Sequence, residues 1–537
     1  MRRLWLIKTL ACLMIFAMLF SFVACSGGDK SSTSDGTKTS DSGGDKEPTT
    51  QELPFVTLDW YVGLSPMPDN QMINDAMNEY LKEKVNAHVN IYFWTSQEWE
   101  QKMTTMLNAG QDCGIVGFGS QSKLDYVVHS KRGHFYPLDD LLKKYGQGTL
   151  ALFPEDIWEC MRIEGHIYGI PSLKDNCYIM SFIYNADMAE ALGIDMSKFE
   201  FKCWSDPEIE PFLENVLKLR NEKFPDYAQY PLCSRPGMEV PYSFALETFL
   251  NDSYVVVCNI DPFFMIKGYD DNTVFNLYET PEYLEFCKMI QRMVDKGIFA
   301  YDYTGKSEWN YTGGMFGWPG WGYTYMQEHL YGDAFTTKMV VNKYIWTDTN
   351  NYFSAGTAIS ANCAEPERAM MILNLVNTDP DFATMWRFGI EGEHYIINEQ
   401  GKMQFEGSKR NSGDRADWGY YYWYAAPVGN LTIVKAPESL TGPDGIMLKE
   451  MIRYNNEAVR PRHMGFVFDI NPVSNELAAC TNVVMEYRNV LRTGQLESQE
   501  AVERAVAEFV SKLKANGVDK IVAECQKQID AWEASKK

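Results

Sequence analysis

Val56-Thr57-Leu58-Asp59-Trp60-Tyr61-Val62 opens the body of the chain. Two similar runs follow it: residues 89–94, from Val89 to Trp94, and Cys113-Gly114-Ile115-Val116-Gly117-Phe118. β-Branched and aromatic side chains dominate all three, which suits extended backbone. Between the first two, Met72, Ile73, Ala76, Met77, Tyr80, Leu81 and Val85 recur at the spacing of one helical face. A second helix is predicted over residues 97–108, closed by Ala109-Gly110. This order places three parallel strands in one sheet with crossover helices, a doubly wound α/β lobe. Ligands of such lobes collect beyond the carboxyl ends of the strands, so Gly119, Ser120 and Gln121, which follow the third strand, are candidate polar contacts.

Residues 1–24 read as an export signal. Arg2, Arg3 and Lys8 supply the positive start, residues 10–20 an uncharged apolar run, and Phe22-Val23-Ala24 a cleavage site before Cys25. A small residue directly before a cysteine is what lipoprotein processing requires, so Cys25 is the expected lipidation site. The alternative, a membrane-spanning anchor, is poorly served by an apolar run of about 11 residues where ~20 are needed. Residues 26–52 contain only Ser, Gly, Thr, Asp, Lys, Glu, Pro and Gln, a composition that cannot offset ordering entropy. Residues 25–53 are therefore expected to form a lipidated tether, with a random-coil reach on the order of 30 Å.

The chain carries a formal net charge of −23, and removing the signal takes away only basic residues. Nucleic acid and anionic lipid are poor partners for such a surface. Ten cysteines remain beyond the signal and Cys25: Cys113, Cys160, Cys177, Cys203, Cys233, Cys258, Cys287, Cys363, Cys480 and Cys525. None forms a C-x-x-C pair or joins histidines at metal-ligand spacing, so no zinc site and no metal-ligand residues are expected, and a structural metal such as calcium stays open. Burial as small hydrophobes is the favoured reading, with disulfides open in an exported chain.

Further motifs follow in a fixed order. They are His134-Phe135-Tyr136-Pro137-Leu138-Asp139-Asp140-Leu141, Glu164-Gly165-His166-Ile167-Tyr168-Gly169-Ile170-Pro171, Tyr184-Asn185-Ala186-Asp187-Met188 and Leu192-Gly193-Ile194. Later come Gly356-Thr357-Ala358-Ile359-Ser360, Pro366-Glu367-Arg368-Ala369-Met370, Asn374-Leu375-Val376-Asn377-Thr378-Asp379-Pro380 and Gly389-Ile390-Glu391-Gly392-Glu393-His394-Tyr395. Gly465-Phe466-Val467-Phe468-Asp469, Pro472-Val473 and Ala515-Asn516-Gly517-Val518-Asp519-Lys520-Ile521 close the series, with Glu524, Gln526, Gln528 and Asp530.

This order resembles the extracellular solute-binding lipoproteins of ABC importers, in the large Gram-positive branch associated with oligosaccharide uptake. The resemblance implies a periplasmic-binding-protein-like (type II) fold with two α/β lobes joined by a hinge and C-terminal helices. The first lobe is expected over residues 54–172 and 353–430, the second over 173–352 and 431–537. Crossings are expected near residues 169–176, 346–354 and 427–431. The implied partners are a carbohydrate ligand, the transmembrane subunits of a permease and the membrane that holds the lipid at Cys25. The receptor is expected to be a monomer without cofactor, on the outer face of the cytoplasmic membrane.

Sugar rings present C–H faces and hydroxyl edges, so their sites combine flat aromatic platforms with hydrogen-bonding side chains. Trp60, Tyr61 and Trp94 end their strands, Trp309 precedes a glycine-rich stretch, and Trp318 and Trp321 flank an expected Pro319-Gly320 turn. With Tyr178 and Glu391 these are the candidate ligand contacts. Trp60 and Trp94 could equally pack in a core, and Trp423 with its tyrosine neighbours reads as core or lobe interface. Val502, Val506, Phe509, Val510 and Leu513, then Ile521, Val522, Cys525, Ile529 and Trp532, mark two amphipathic helices separated by Asn516-Gly517, expected to pack on the second lobe.

No H-E-x-x-H, G-x-S-x-G, Walker loop or strand-borne G-x-G-x-x-G occurs. The favoured reading is therefore a receptor without chemistry. A peptide receptor is the main alternative, and a carbohydrate-active enzyme using two carboxylates the lesser one.

Overall fold

A computed structural model of the protein describes residues 53–119, 124–200, 208–233, 254–256, 264–267, 272–299, 316–321, 337–423 and 428–536. The three sequence runs form β1 (Val56–Val62), β2 (Ala87–Phe93) and β3 (Ile115–Phe118), separated by α1 (Asn70–Val85) and α2 (Ser96–Asn108). β1 lies parallel to both neighbours, with Trp60 opposite Ile91 on one side and Ile115 on the other. β3 starts two residues later than expected because Gly114, at φ +54°, turns against the Asp59 carbonyl. A β-carbon there would sit 2.1 Å from that oxygen.

Two strands from distant sequence complete this sheet. Gly356–Ile359 runs antiparallel to β3, and Gly169–Pro171 runs antiparallel to Gly356–Ile359 in turn. The return motif around residues 366–380 holds the far side. Arg368, 5% exposed, donates through Nη1 to the carbonyls of Pro54, Val85 and Asn86, closing the C-terminus of α1. Asn374 accepts from the Thr149 amide, and Tyr80 donates to Asp379 at 2.6 Å. Asp139, from the earlier Pro-Leu-Asp-Asp-Leu run, accepts from Arg162 at 2.6 Å and from the Ile167 amide at 3.2 Å, tying two motifs together.

The second lobe carries a three-stranded antiparallel sheet in the order Phe316–Trp321, Tyr178–Asn185, Thr337–Trp346. Its hydrophobic core joins Ile209–Lys223, Pro281–Asp295 and the C-terminal helices Ser474–Arg492, Gln499–Ala515 and Val518–Ser535. Val502, Val506, Phe509 and Leu513 are buried on the second of these helices, and Ile521, Cys525 and Ile529 on the third. The break between them falls at Asn516-Gly517, with Gly517 at φ +94°.

The chain passes between the two sheets at residues 172–177 and again at 347–355. A third core surrounds these crossings: Cys177, Ile179 and Ile345 meet Ala383, Phe388, Trp423, Leu431 and Met451. Helix Pro380–Phe388 divides its faces, sending Phe382 and Trp386 into the first core and Ala383 and Phe388 into the third. The eight described cysteines, Cys113, Cys160, Cys177, Cys233, Cys287, Cys363, Cys480 and Cys525, are all buried as thiols rather than joined in disulfides. No helix among the described residues is long and apolar enough to cross a membrane.

Arg387, on the same dividing helix, is 4% exposed and donates to the carbonyls of Trp423 at 2.9 Å and Val428 at 2.6 Å. Burial pushes its guanidinium down to about 10. Replacing it with Ala removes both of these buried hydrogen bonds. Arg387→Ala is expected to lower unfolding free energy by roughly 2–4 kcal/mol in urea denaturation. Arg387→Lys should recover only part, because one ammonium lacks the planar fork that spans both acceptors.

Candidate ligand cleft

The carboxyl end of β3 lies against the second crossing, where Gly119 meets Ser354 and Ala355. Period-two alternation decides which aromatic faces where. Trp60 is wholly buried against Trp386, their rings 6.1 Å apart beneath helix Pro380–Phe388. It offers no surface to a ligand in this conformation. Tyr61, on the opposite face of β1, is 6% exposed and hydrogen-bonded to Asp59 at 3.1 Å. Its ring stacks on Tyr92 at 4.8 Å and touches Trp94 at 5.1 Å. Trp94 is the partly open end of this ladder. It leans on Trp99 at 6.1 Å, and the Lys102 ammonium lies 4.9 Å from its ring centre.

Gly119 has a different part from the polar contact expected of its loop. At φ +117° its backbone lies against the second crossing, where a β-carbon would stand 2.1 Å from the Ser354 carbonyl oxygen. Its amide also donates to the Leu124 carbonyl at 2.9 Å, closing the loop. Ser120 and Gln121 lie outside the described residues, as do Trp309 and Cys25. Trp318 and Trp321 lie on strand Phe316–Trp321, opposite Ile183 and Met180. The expected Pro319-Gly320 turn is thus a stretch of strand. Proline is tolerated there because this strand is the edge of its sheet and need donate on one side only. Glu391 is exposed on the loop that His394 pins to Asp69 at the start of α1.

Tyr178 sits at the floor of the crossings. Its ring packs on Trp346 at 5.3 Å, and its hydroxyl points at Asp348 Oδ2 from 3.5 Å. Asp348 is 5% exposed and caps the short helix Thr349–Phe353 by accepting from the Asn351 amide at 3.0 Å. Burial pushes its carboxyl up to about 6, opposed by the hydrogen bonds from Asn351, Asn350 and Tyr178. Tyr422 stacks on Phe93 at 5.3 Å and donates to the Ser65 carbonyl at 2.7 Å, bracing the loop after β1. Sequence reasoning missed Trp346, Asp348 and Tyr92. Only the Asp348-to-Asn351 capping pattern carried a local signal. Among the described residues no three His, Cys, Asp or Glu side chains converge to hold a metal ion.

Two α/β lobes, linked by the two described crossings and with an antiparallel strand closing the first sheet, place the chain in the type II periplasmic-binding-protein-like class of fold. Within that class the chain is similar to the N-glycan transport solute-binding protein NgtS of Streptococcus pneumoniae, at 22% identity and a TM-score of 0.71, covering 90% of this chain and 100% of that one. It is 24% identical over 489 residues to a carbohydrate ABC transporter substrate-binding protein of S. pneumoniae serotype 4, covering 88% of this chain and 90% of the relative. A human-milk-oligosaccharide (HMO)-binding, ABC-transporter-associated solute-binding protein of Bifidobacterium longum infantis matches at 16% identity and a TM-score of 0.58, covering 90% of this chain and 99% of that one. Residues 462–534 match the family described as Domain of unknown function (DUF3502). By name these relatives are substrate- or solute-binding proteins of transport systems.

Asp348 generates a pH test. Its folded pKa lies above the ordinary 3.8, so its penalty is fully present above about pH 6 and fades as pH falls from 6 toward 4. Asp348→Asn keeps an acceptor for the Asn351 amide and removes the buried charge. It is expected to stabilise the protein by roughly 1–3 kcal/mol at pH 7.5 and by little at pH 4.5. Chemical denaturation at both pH values checks this, and an equal effect at both would contradict it.

Proposed function

We propose that the protein is the extracellular, lipid-anchored receptor of an ABC importer, closing two lobes on an oligosaccharide and presenting it to the permease. The observation that carries this reading is the correspondence over nearly the whole chain with the N-glycan transport receptor and its carbohydrate-binding relatives. Two lobes on a hinge suit the task physically, because closure buries the ligand for capture and reopening releases it.

Trp94 and Tyr178 are the proposed contacts whose described positions suit the role best, each partly exposed and held by packed aromatic neighbours. Tyr61 supports Trp94 from behind, and Trp60 acts only through the core beneath. Gly119 sets the spacing between the first sheet and the crossing. Ser120, Gln121, Trp309, Trp318, Trp321 and Glu391 remain proposed contacts, and the lobe limits at residues 54–172 with 353–430, and 173–352 with 431–537, are proposed with them. Cys25 is the proposed lipid attachment that holds the monomer at the outer membrane face.

Thermal unfolding of the soluble chain from Ser26 tests this. The probes are Man1GlcNAc, Man5GlcNAc, kestose, milk oligosaccharides, monosaccharides and short peptides, with product analysis of each mixture. An oligosaccharide that binds is expected to stabilise the native state by about 4 kcal/mol at ~1,000 times its Kd and to be recovered intact. Trp94→Ala should weaken that binding roughly tenfold, about 1.4 kcal/mol, without lowering the midpoint of the free protein by a similar amount. Stabilisation by peptides alone would refute the carbohydrate assignment, and shortened glycans would refute the absence of catalysis.

A further inference from the structure

The region matching a domain of unknown function starts and ends at one place, the seam between the two lobes. Residues 459–468 thread this seam and divide their side chains between its walls. Met464 and Val467 pack with the first core, while Phe466 and Phe468 pack with the second. Just upstream, Val459 exchanges backbone hydrogen bonds with Ile345 at 2.8 Å and Thr347 at 3.0 Å, and Arg460 pairs with Asp156 on the first lobe. The Gly465 amide donates to Thr349 Oγ1 at 2.8 Å, inside the second crossing.

The last helix, Val518–Ser535, returns to the same seam. Its body is locked to the second lobe: Gln526 accepts from the Val274 amide at 2.7 Å and donates to the Asn272 carbonyl at 3.2 Å. Gln528 forms the same two-bond clamp with the backbone of Asp469, at 2.8 and 2.9 Å. Its end reaches across. Trp532 lies 5.7 Å from the Phe466 ring, and Gly465, at φ +90°, is held between Trp532 and Cys160 of the first lobe. A β-carbon on Gly465 would stand 3.4 Å from Cys160 Cα and 3.7 Å from Trp532 Cζ2. The Lys536 ammonium closes the arrangement 3.5 Å from the Trp532 ring centre.

These contacts are unequal in kind. Toward the second lobe they are directional, paired and fixed in register. Toward the first they are chiefly apolar surfaces and one exposed ion pair, which tolerate a sliding displacement while the packed area persists. We propose that the C-terminal domain is a strap across the lobes: it rides on the second lobe and, through Met464, Val467 and Arg460, limits how far the hinge lets the first lobe rotate away. The proposal rests on the two-lobed fold and stands whether or not the ligand is a carbohydrate.

Small-angle scattering and hydrogen exchange on the unliganded soluble chain from Ser26 test it. Met464→Ala/Val467→Ala is expected to increase the radius of gyration and to speed exchange at residues 155–160 and 349–353, with the helices of residues 474–535 keeping their protection. Phe466→Ala, facing the other wall, should instead speed exchange in those helices. Arg460→Glu should mimic the double variant in milder form, and adding Asp156→Arg should reverse it by restoring the pair with exchanged charges. Unchanged scattering and exchange at 155–160 and 349–353 in Met464→Ala/Val467→Ala would overturn the proposal. So would loss of protection throughout residues 474–535 in that variant, because the two side chains would then support the domain itself, and so would a charge exchange that fails to reverse Arg460→Glu.

Discussion

A knot of buried amides at the crossings is the constraint on which the rest of the molecule depends. Asn176, 2% exposed, donates its amide to Asn455 Oδ1 at 3.0 Å and its side chain to the Ser172 carbonyl at 3.2 Å. Its own carbonyl accepts from Thr347 Oγ1 at 2.6 Å, and Asn455 donates on to the Lys174 carbonyl at 2.6 Å. Beside the first crossing Asn430 donates to the Asn377 carbonyl, and the Leu431 amide donates to the Leu173 carbonyl at 2.9 Å. Connecting segments so deep in a protein would leave peptide groups unpaired, and these side chains supply the partners that neither sheet can. The crossings are thereby held in one register, and the two sheets keep a defined relation.

Around that knot the structure spends aromatic residues on rigidity. Tyr422 braces the loop after β1 while Tyr420 donates to the Trp386 carbonyl at 2.7 Å, and Trp386 in turn covers Trp60. Trp423 stacks on Phe388 at 5.8 Å in the core around the crossings. Stacked and edge-to-face aromatic pairs of this kind stiffen the packing on either side of the crossings. The aromatic density that suggested a sugar site serves the framework in most of the described tryptophans of the first lobe.

Much of the first lobe was legible because its signals are local. β1, β2, α1 and α2 follow from composition and period, and the C-terminal helices from two apolar stripes broken at Asn516-Gly517. The antiparallel strand Gly356–Ile359 was not, since its partners lie more than 180 residues away and no short-range pattern names them. Pro319-Gly320 reads as a turn in any local view. Only its edge position, unknowable without the pairing of Phe316–Trp321 to Tyr178–Asn185, makes it a strand. Trp60 and Trp94 looked alike at strand ends, and the helix that covers one of them comes from residues 380–388.

The sequence by itself determined the class of fold, the order of its elements and the acidic character of the chain, because periodicity, turn chemistry and charge are properties of neighbouring residues. The tertiary structure alone decided which aromatics remain open, why Gly119 must lack a side chain, and that Asp348 is buried at the crossing. It alone placed residues 464–468 between two cores. Burial and close approach are set by segments that meet only after the chain has folded, and no residue carries that information in its own identity.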